Sequence, residues 1–463
     1  MSQGSAVPRQ SLSVFDAITL MVGMVIGVGI FGLPNLVAGN TPSETWFFGL
    51  FIAGALVTLC GILCYAELAG RYPDAGGEYN FLTRAYGKPI GFLFAWGRLT
   101  VMQTGIMAGI AFLFGDYMTG LAKFGYQWAN LGPYSSAIWA ALVIIVLTAI
   151  NIGGTKQGTR LQNILTIILV CAFATIIVSG VFLAPDVPPV VEKPRPFDPE
   201  KVALGLAFVF VMLTYGGWNE TVYVSGELKD SRRNMLRVFL IGLAVITTIY
   251  LLLLYAFVNT LGIVGVRNTF TIGSDMMNVI FGPVGATVMT VIILAEIGTT
   301  LNATIFTGAR TNYALGRDYR LFGWMGRWNE RRNTPANGLI AQAAIALLLV
   351  VLGAFDREGG FKKMVEYTSP VFWSFMLLIV ASLFLFRMRE GKPKDSYSVH
   401  LYPVVPLLFG AACCYMLYSS INYAWANALL ALSILAAGIP VYLVTRTMND
   451  GAVDPAAKSD RTS

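Results

Sequence analysis

The chain has 463 residues, of which 56 % are hydrophobic and only 12 % charged, with 25 acidic and 32 basic side chains. Its mean hydropathy is +0.65. A soluble domain carries about twice that share of charge, so the composition excludes a disordered chain, a secreted disulfide scaffold and an ordinary cytosolic enzyme. It leaves a polytopic membrane protein. The net charge of +7 and pI near 9.1 do not argue for a nucleic-acid partner, because in a membrane protein the position of the bases matters more than their sum.

In chain order, the start MSQGSAVPRQSLSVFDA is polar and has no signal-peptide apolar core. Twelve apolar segments follow, at about 15–39, 46–70, 90–118, 136–153, 160–184, 201–228, 234–262, 284–315, 337–354, 363–388, 401–420 and 424–446. A helix crosses the hydrocarbon layer in ~20 residues, so twelve spans fit the length with room for loops. Residues 1–14 and 447–463 read as polar tails. Cys60, Cys64, Cys171, Cys413 and Cys414 fall in apolar stretches and read as buried packing, with no disulfide or metal pattern. The single histidine, His400, sits in a polar connector, which disfavours His-based metal or triad chemistry. No P-loop, HExxH, GxSxG or dinucleotide motif occurs in a usable context. The reading is therefore not an enzyme, with no cofactor and no metal.

The loops alternate in basicity. With the N-terminus inside, inner loops collect most of the bases, including Lys229, Arg232 and Arg233, the run Arg317–Arg332 and Arg387–Lys394. Outer loops hold few, such as Lys123, Lys193 and Arg267. A bias of about three to one puts both termini in the cytoplasm. The basic run Arg317–Arg332 suits anionic lipid rather than nucleic acid. Trp46, Tyr134, Trp324 and Tyr402 at loop edges suit the membrane interface.

Two segments break helix rules at membrane depth. The first is GMVIGVGIFG (23–32), followed by Pro34; the second is TYGGWN (214–219). Each interior glycine costs a helix ~1 kcal/mol relative to alanine. Clustering them mid-span is wasteful unless the backbone opens there, or unless helices pack closely through small residues. The breaks fall in segments one and six, and corresponding interruptions in two halves point to a transporter built from repeats. An unwound helix offers free N–H groups that bind a carboxylate and free carbonyls that bind an ammonium.

At these residues the chain resembles the amino acid–polyamine–organocation transporters, especially bacterial relatives of the L-type amino-acid exchangers. The resemblance continues through YAELAGRYPDAGGEYNFLTRAYG (65–87), the E-x-x-D-x-x-R-N stretch Glu227–Asn234, NATIFTGARTNYALGRD (302–318) and NTPANGL (333–339). It implies an all-α membrane protein of the leucine-transporter type with twelve transmembrane helices. Residues 15–184 (spans 1–5) and 201–388 (spans 6–10) would be inverted repeats, and 401–446 two peripheral spans. Spans 1, 2, 6 and 7 would rock against spans 3, 4, 8 and 9. Carried over by motif, the N–H groups of Val28 and Gly29 would hold the substrate carboxylate, with Gly27 permitting the turn. The carbonyls of Val25, Leu213 and Gly216 would take the amine, and Asn219 would bond the substrate or steady the break. Phe372 and Trp373 in span 10, and Thr299 and Thr300 in span 8, would line the path.

Three departures stand out. Val28 replaces the family's common serine, which removes a hydroxyl but keeps the backbone. Leu213 replaces an aromatic gate. Leu169 stands where many relatives carry a lysine that takes the place of a sodium ion, so the usual cation is missing.

Ionisable groups in spans are expensive and carry functional hypotheses by default. Glu67 reads as paired with a loop base, Arg71 or Arg160, or with Arg98. Glu220 follows Asn219, and Glu296 shares a helix face with Thr299 and Thr300; either is a candidate proton carrier. Residues 78–88 read as an interfacial helix. The functional expectation is a secondary active amino-acid transporter (permease or exchanger) in the bacterial inner membrane, with lipids as its surroundings and protons as a candidate coupling ion. Polyamine or cationic amino-acid transport is the alternative in the same class, and a transporter-fold nutrient sensor the alternative in another.

Overall fold

Within lipid every main-chain N–H and C=O needs an internal partner, so long apolar runs must wind into helices. The structure, a computed structural model, describes residues 12–73, 76–153, 159–191, 194–330, 332, 334–356 and 359–450, and side chains outside 159–168, 201, 224 and 449–450. Most of both expected tails and the Arg160 side chain lie outside the described residues.

The first expected segment is three helical pieces: α1 (Val14–Val25), α2 (Val28–Gly32) and α3 (Pro34–Gly39). A capping box starts it, with the Ser13 hydroxyl accepting from the Asp16 N–H and the Asp16 carboxylate accepting from the Ser13 N–H. Next come α4 (Glu44–Arg71) and the short loop helix α5 (Gly77–Tyr86). Then α6 (Lys88–Gly97) and α7 (Gln103–Gly120) form one rod through a π-helical turn at Arg98–Met102. Helices α8 (Ser135–Gly153) and α9 (Thr159–Phe182) follow. Helix α10 (Leu204–Thr214) stops short and gives way, after a turn, to a 3-10 stretch at Trp218–Val224. Helices α11 (Ser231–Asn268), α12 (Ile272–Asp318), α13 (Ala336–Ala354), α14 (Gly360–Glu390), α15 (Val404–Tyr423) and α16 (Trp425–Asp450) complete the chain.

Ten helical stretches among the described residues are long and apolar enough to cross a membrane. They coincide with expected segments one to four and seven to twelve. Segment five is α9, and segment six is the divided α10 with its 3-10 continuation. Positive φ at Gly262 (66°) and Gly282 (69°) bends α11 and α12 near where segments seven and eight were expected to end and begin.

Packing sorts the helices into two groups. Helices α1, α3, α4, α10 and α11 pack on one another; α7, α8, α12 and α13 form the second group. Helix α14 lies on α7 and carries α15 and α16 on its outer side. Exposed Leu142, Ile145 and Val146 on α8, and Leu429 and Leu443 on α16, give apolar outer faces that suit lipid. Cys64 and Cys413 are buried as expected, whereas Cys171 and Cys414 are exposed on such faces, where a thiol behaves as a small hydrophobe.

The expected partner of Glu67 needs correction. Glu67 is fully buried and takes a two-pronged bond from Arg387 of α14, Nε to Oε1 and Nη2 to Oε2, both at 2.6 Å. The Val399 N–H adds a third donor at 2.8 Å. Arg71 pairs instead with Glu390 at 3.1 Å, and Arg98 with Glu220 at 3.4 Å. Sequence distance hid the true partner: 320 residues separate Glu67 from Arg387.

Candidate functional site

Both glycine-rich motifs open the backbone, and the openings meet. Helix α1 ends at Val25, Ile26 is extended, and Gly27 adopts φ −179°, ψ −121° before α2 begins. On the other strand of the crossing, Gly217 takes φ +102° after α10 ends. A Cβ on Gly217 would lie 2.8 Å from the Met24 carbonyl oxygen, and one on Gly29 would lie 3.0 Å from Thr214 Cα. Each break therefore needs a glycine to approach the other. The rest of the first motif is less uniform. Gly32 is crowded by Leu113 and Phe361, whereas Gly23 has open space around it.

Around this crossing Ile26, Gly27, Thr214 and Tyr215 are buried, while Val28, Gly29, Leu213, Gly216 and Gly217 keep partial exposure. Val28 and Gly29 are the first two residues of α2, whose N–H groups have no intrahelical acceptor. Two of the carbonyls expected to take an amine are already engaged. The Tyr250 hydroxyl lies 2.7 Å from Val25 O and 3.0 Å from Thr214 O. Leu213 O accepts the Gly216 N–H at 2.9 Å.

Helix α12 closes another side. Glu296 Oε1 would lie 3.2 Å from a Cβ on Gly27, and Thr300 Oγ1 3.4 Å. Thr300 donates to Glu296 Oε1 at 3.2 Å. Thr299 bonds its own helix at Ala295 O, 2.8 Å away. From α9, Leu169, Ala172 and Phe173 are buried apolar neighbours of the core, and Phe173 stacks on Phe31 at 5.8 Å. On α14, Phe372 is half-buried one turn before Met376, whose sulfur meets the Tyr65 hydroxyl. Trp373 is buried one turn before Leu377, which borders Gly410 of α15, so it lies on the face towards that outer helix.

Below the second break sits a polar cluster that ties both packing groups together. Arg98 donates from Nη1 to the Tyr223 hydroxyl at 2.6 Å and from Nη2 to Gln103 Oε1 at 3.1 Å, and pairs with Glu220. Gln103 in turn donates to Thr304 O on α12 at 2.8 Å. The π turn sets this up: its extra residue shifts the register of the rod and re-aims Arg98 and Gln103. Asn219 donates to Glu78 Oε1 at 3.0 Å, and Tyr65 donates to the same oxygen at 2.7 Å. Asn219 thus faces the loop helix α5. Burial pushes the Glu78 carboxyl above the ordinary carboxylate value, and Glu220 adds to that while Arg98 opposes it.

Tyr250, Gln103 and Tyr223 carried no mark in the sequence that set them apart from other span residues. Glu78 and Gly217 lay inside quoted motifs, where their roles were legible only in outline. An apolar crevice of about 390 Å³ between α9 and α12, bordered by Cys171, Thr175, Met277 and Val288, holds no charged group. Cys171 and Val288 are exposed there, so it is a surface groove unrelated to the crossing.

Comparison with known proteins bears on this geometry. A family model described as amino acid permease matches residues 12–444. The serine/threonine exchanger SteT of Bacillus subtilis (strain 168) is 26 % identical over 440 residues, 94 % of this chain and 96 % of that protein. The b(0,+)-type amino acid transporter 1 of Mus musculus is 28 % identical over 410 residues, 86 % and 81 % of the two chains. The large neutral amino acids transporter small subunit 2 of Oryctolagus cuniculus is 27 % identical over 456 residues, 95 % and 81 %. With two glycine breaks crossing at the centre of an all-helical membrane bundle, and a match that runs almost end to end, the chain belongs to the amino acid permease family.

Proposed function

We propose that the chain is a secondary transporter that exchanges amino acids across the bacterial inner membrane by alternating access. In this reading it has twelve spans with both termini in the cytoplasm, and residues 15–184 and 201–388 are inverted repeats. The carrying observation is the crossing itself, where Gly29 and Gly217 let two opened helices share one site. The substrate carboxylate binds the Val28 and Gly29 N–H groups, next to the positive end of α2. Leu213, Gly216 and Phe372 face the substrate side chain. The two packing groups supply the parts that move: α1 to α4 with α10 and α11 rock against α7, α8, α12 and α13. Arg98 and its partners fasten these groups below the site, so inward opening requires that fastening to release. One relative is named a serine/threonine exchanger and another a large neutral amino acids transporter, which supports uncharged side chains and exchange here.

Purified protein in liposomes loaded with unlabelled L-serine, L-threonine or L-leucine tests this. Uptake of the same labelled amino acid should rise several-fold over empty liposomes. Equal slow uptake with and without internal amino acid would remove exchange. No uptake together with thermal stabilisation by an amino acid would favour a sensor.

A further inference from the structure

A carboxylate held in a membrane interior needs a positive partner or a proton, because an unpaired buried charge is costly. Glu296 stands on the membrane helix α12 with its oxygen directed at Gly27, and its one hydrogen bond among the described side chains is from Thr300. Among the described residues it makes no ion pair. Among the described residues, the groups shown beside it supply no base: Gly27 on the first break, and Thr299 and Thr300 on its own helix. Arg98 is committed elsewhere, to Glu220, Tyr223 and Gln103.

Of the three carbonyls expected to take an amine, two are already engaged and Gly216 O is the third, so a charged acceptor adds to a short supply. Val25 O and Thr214 O share the Tyr250 hydroxyl, and Leu213 O is used by the turn that closes α10. Each keeps at most one lone pair for a ligand. Gly27 directly precedes the two N–H groups that face a carboxylate. A carboxylate oxygen beside Gly27 is therefore one residue away from the anion anchor. An α-amino acid carries both charged ends on one carbon, so a solute anchored at those N–H groups keeps its ammonium close to Gly27.

From this juxtaposition we propose that the Glu296 carboxylate is the partner of the substrate's α-ammonium group. The assignment rests on the amino-acid reading above and deepens it. It makes the site read the amine with a full charge in addition to main-chain dipoles. The transporter then discriminates strongly against solutes that keep the carboxylate and side chain but replace the amine with a hydroxyl.

The test uses full-length protein in liposomes and measures competition against labelled uptake. The probes are L-leucine with L-2-hydroxy-4-methylpentanoate, and L-serine with L-glycerate, with L-lysine as a side-chain cation. In the wild type the amino acid should outcompete its hydroxy partner by about ten- to a hundredfold, as a charge-assisted bond predicts. Glu296→Gln should weaken the amino acids by a similar factor and leave the hydroxy acids within about twofold, collapsing the preference. Glu296→Asp, which keeps the charge, should retain part of it and serves where the glutamine variant folds poorly. Equal losses for amino and hydroxy acids would assign Glu296 to packing and overturn the proposal. So would unchanged affinities, or a loss confined to L-lysine. An effect present in sodium and absent in choline would place the charge on a bound metal ion instead, with the same consequence. A wild type that takes up no amino acid overturns the transporter reading itself, whereas an active wild type with an indifferent Glu296→Gln variant overturns only this step.

Discussion

The hydroxyl of Tyr250 lies 2.7 Å from the carbonyl oxygen of Val25, joining the middle of α11 to the last residue of α1. The same hydroxyl is 3.0 Å from Thr214 O, the last residue of α10. One proton is thus shared between the ends of both opened helices, where carbonyls have lost their helical donors. Tyr250 is fully buried and its ring packs against Tyr215 at 5.4 Å. It holds the crossing together from the α11 side.

Replacing Tyr250 with phenylalanine keeps the ring and removes that proton. Two buried carbonyls then lose a donor, which costs about 1–3 kcal/mol. The expected outcome is a lower Tm in detergent with the fold intact. Crosslinking between cysteines placed on α1 and α10 should become less uniform, because the two ends are no longer fastened. A Tm equal to the wild type's would show that the carbonyls find other donors.

The glycines divide sharply. Gly217→Ala forces a side chain into a positive-φ position, which costs roughly 1–2 kcal/mol, and places its Cβ 2.8 Å from the Met24 oxygen. Gly29→Ala presses on the Thr214 backbone at 3.0 Å. Both should abolish exchange in liposomes while the protein still reaches the membrane. Gly23→Ala meets nothing within 4 Å and sits inside α1. There alanine favours the helix by up to ~1 kcal/mol, so transport should persist and Tm should hold or rise. Equal damage at Gly23 would mean that the motif acts through helix flexibility and not through the crossing.

Much of this architecture was legible in the chain because membrane physics writes in long strokes. Apolar length, loop charge and interior glycines mark where helices run and where they open. Segment six shows the limit of length alone: α10 is 11 residues long, and only the Gly216-Gly217 pair explains why it stops there. Side-chain partners were another matter. Glu67 and Arg387 meet across 320 residues, and nothing local in either segment favours that pairing over Arg71. Asn219 read by its motif as bonding the substrate or steadying the break, and the motif gave no sign that its amide donates to Glu78, 141 residues earlier. Tyr250 sits in an apolar run where its hydroxyl had no visible purpose. Long-range polar contacts depend on register and rotation between helices, and a single sequence carries neither.

The Glu67–Arg387 pair should be a stability element. Both side chains are largely out of solvent, at 0 % and 10 % exposure, so screening is weak. Removing one partner from such a pair costs about 3–5 kcal/mol, because the other charge is left buried. Arg387→Met should therefore lower Tm markedly. The double variant Glu67→Met with Arg387→Met should recover a good part of the loss, since no lone charge remains. A double variant as unstable as the single one would show that the Val399 N–H bond to Glu67 and the 2.8 Å bond from Arg387 Nη2 to the Ser398 hydroxyl, and not the charge pair, hold this corner.

Glu78 gives the bundle a pH response of predictable sign. Its carboxyl titrates above the ordinary 4.5, chiefly through burial, with Glu220 adding to the rise and Arg98, Tyr65 and Asn219 opposing it. The folded protein therefore holds this proton in a pH range where the unfolded chain has released it. Bound protons are then more numerous in the folded state, and unfolding free energy falls as pH rises. The fall begins near the ordinary carboxylate value and ends above the raised one; below that window the contribution is complete. Glu78→Gln keeps an oxygen for the Tyr65 and Asn219 donors but removes the titration. Its Tm measured across the acidic range should follow a shallower decline with pH than the wild type's. A wild type that instead gains stability through that window would mean that Arg98 outweighs burial at this site.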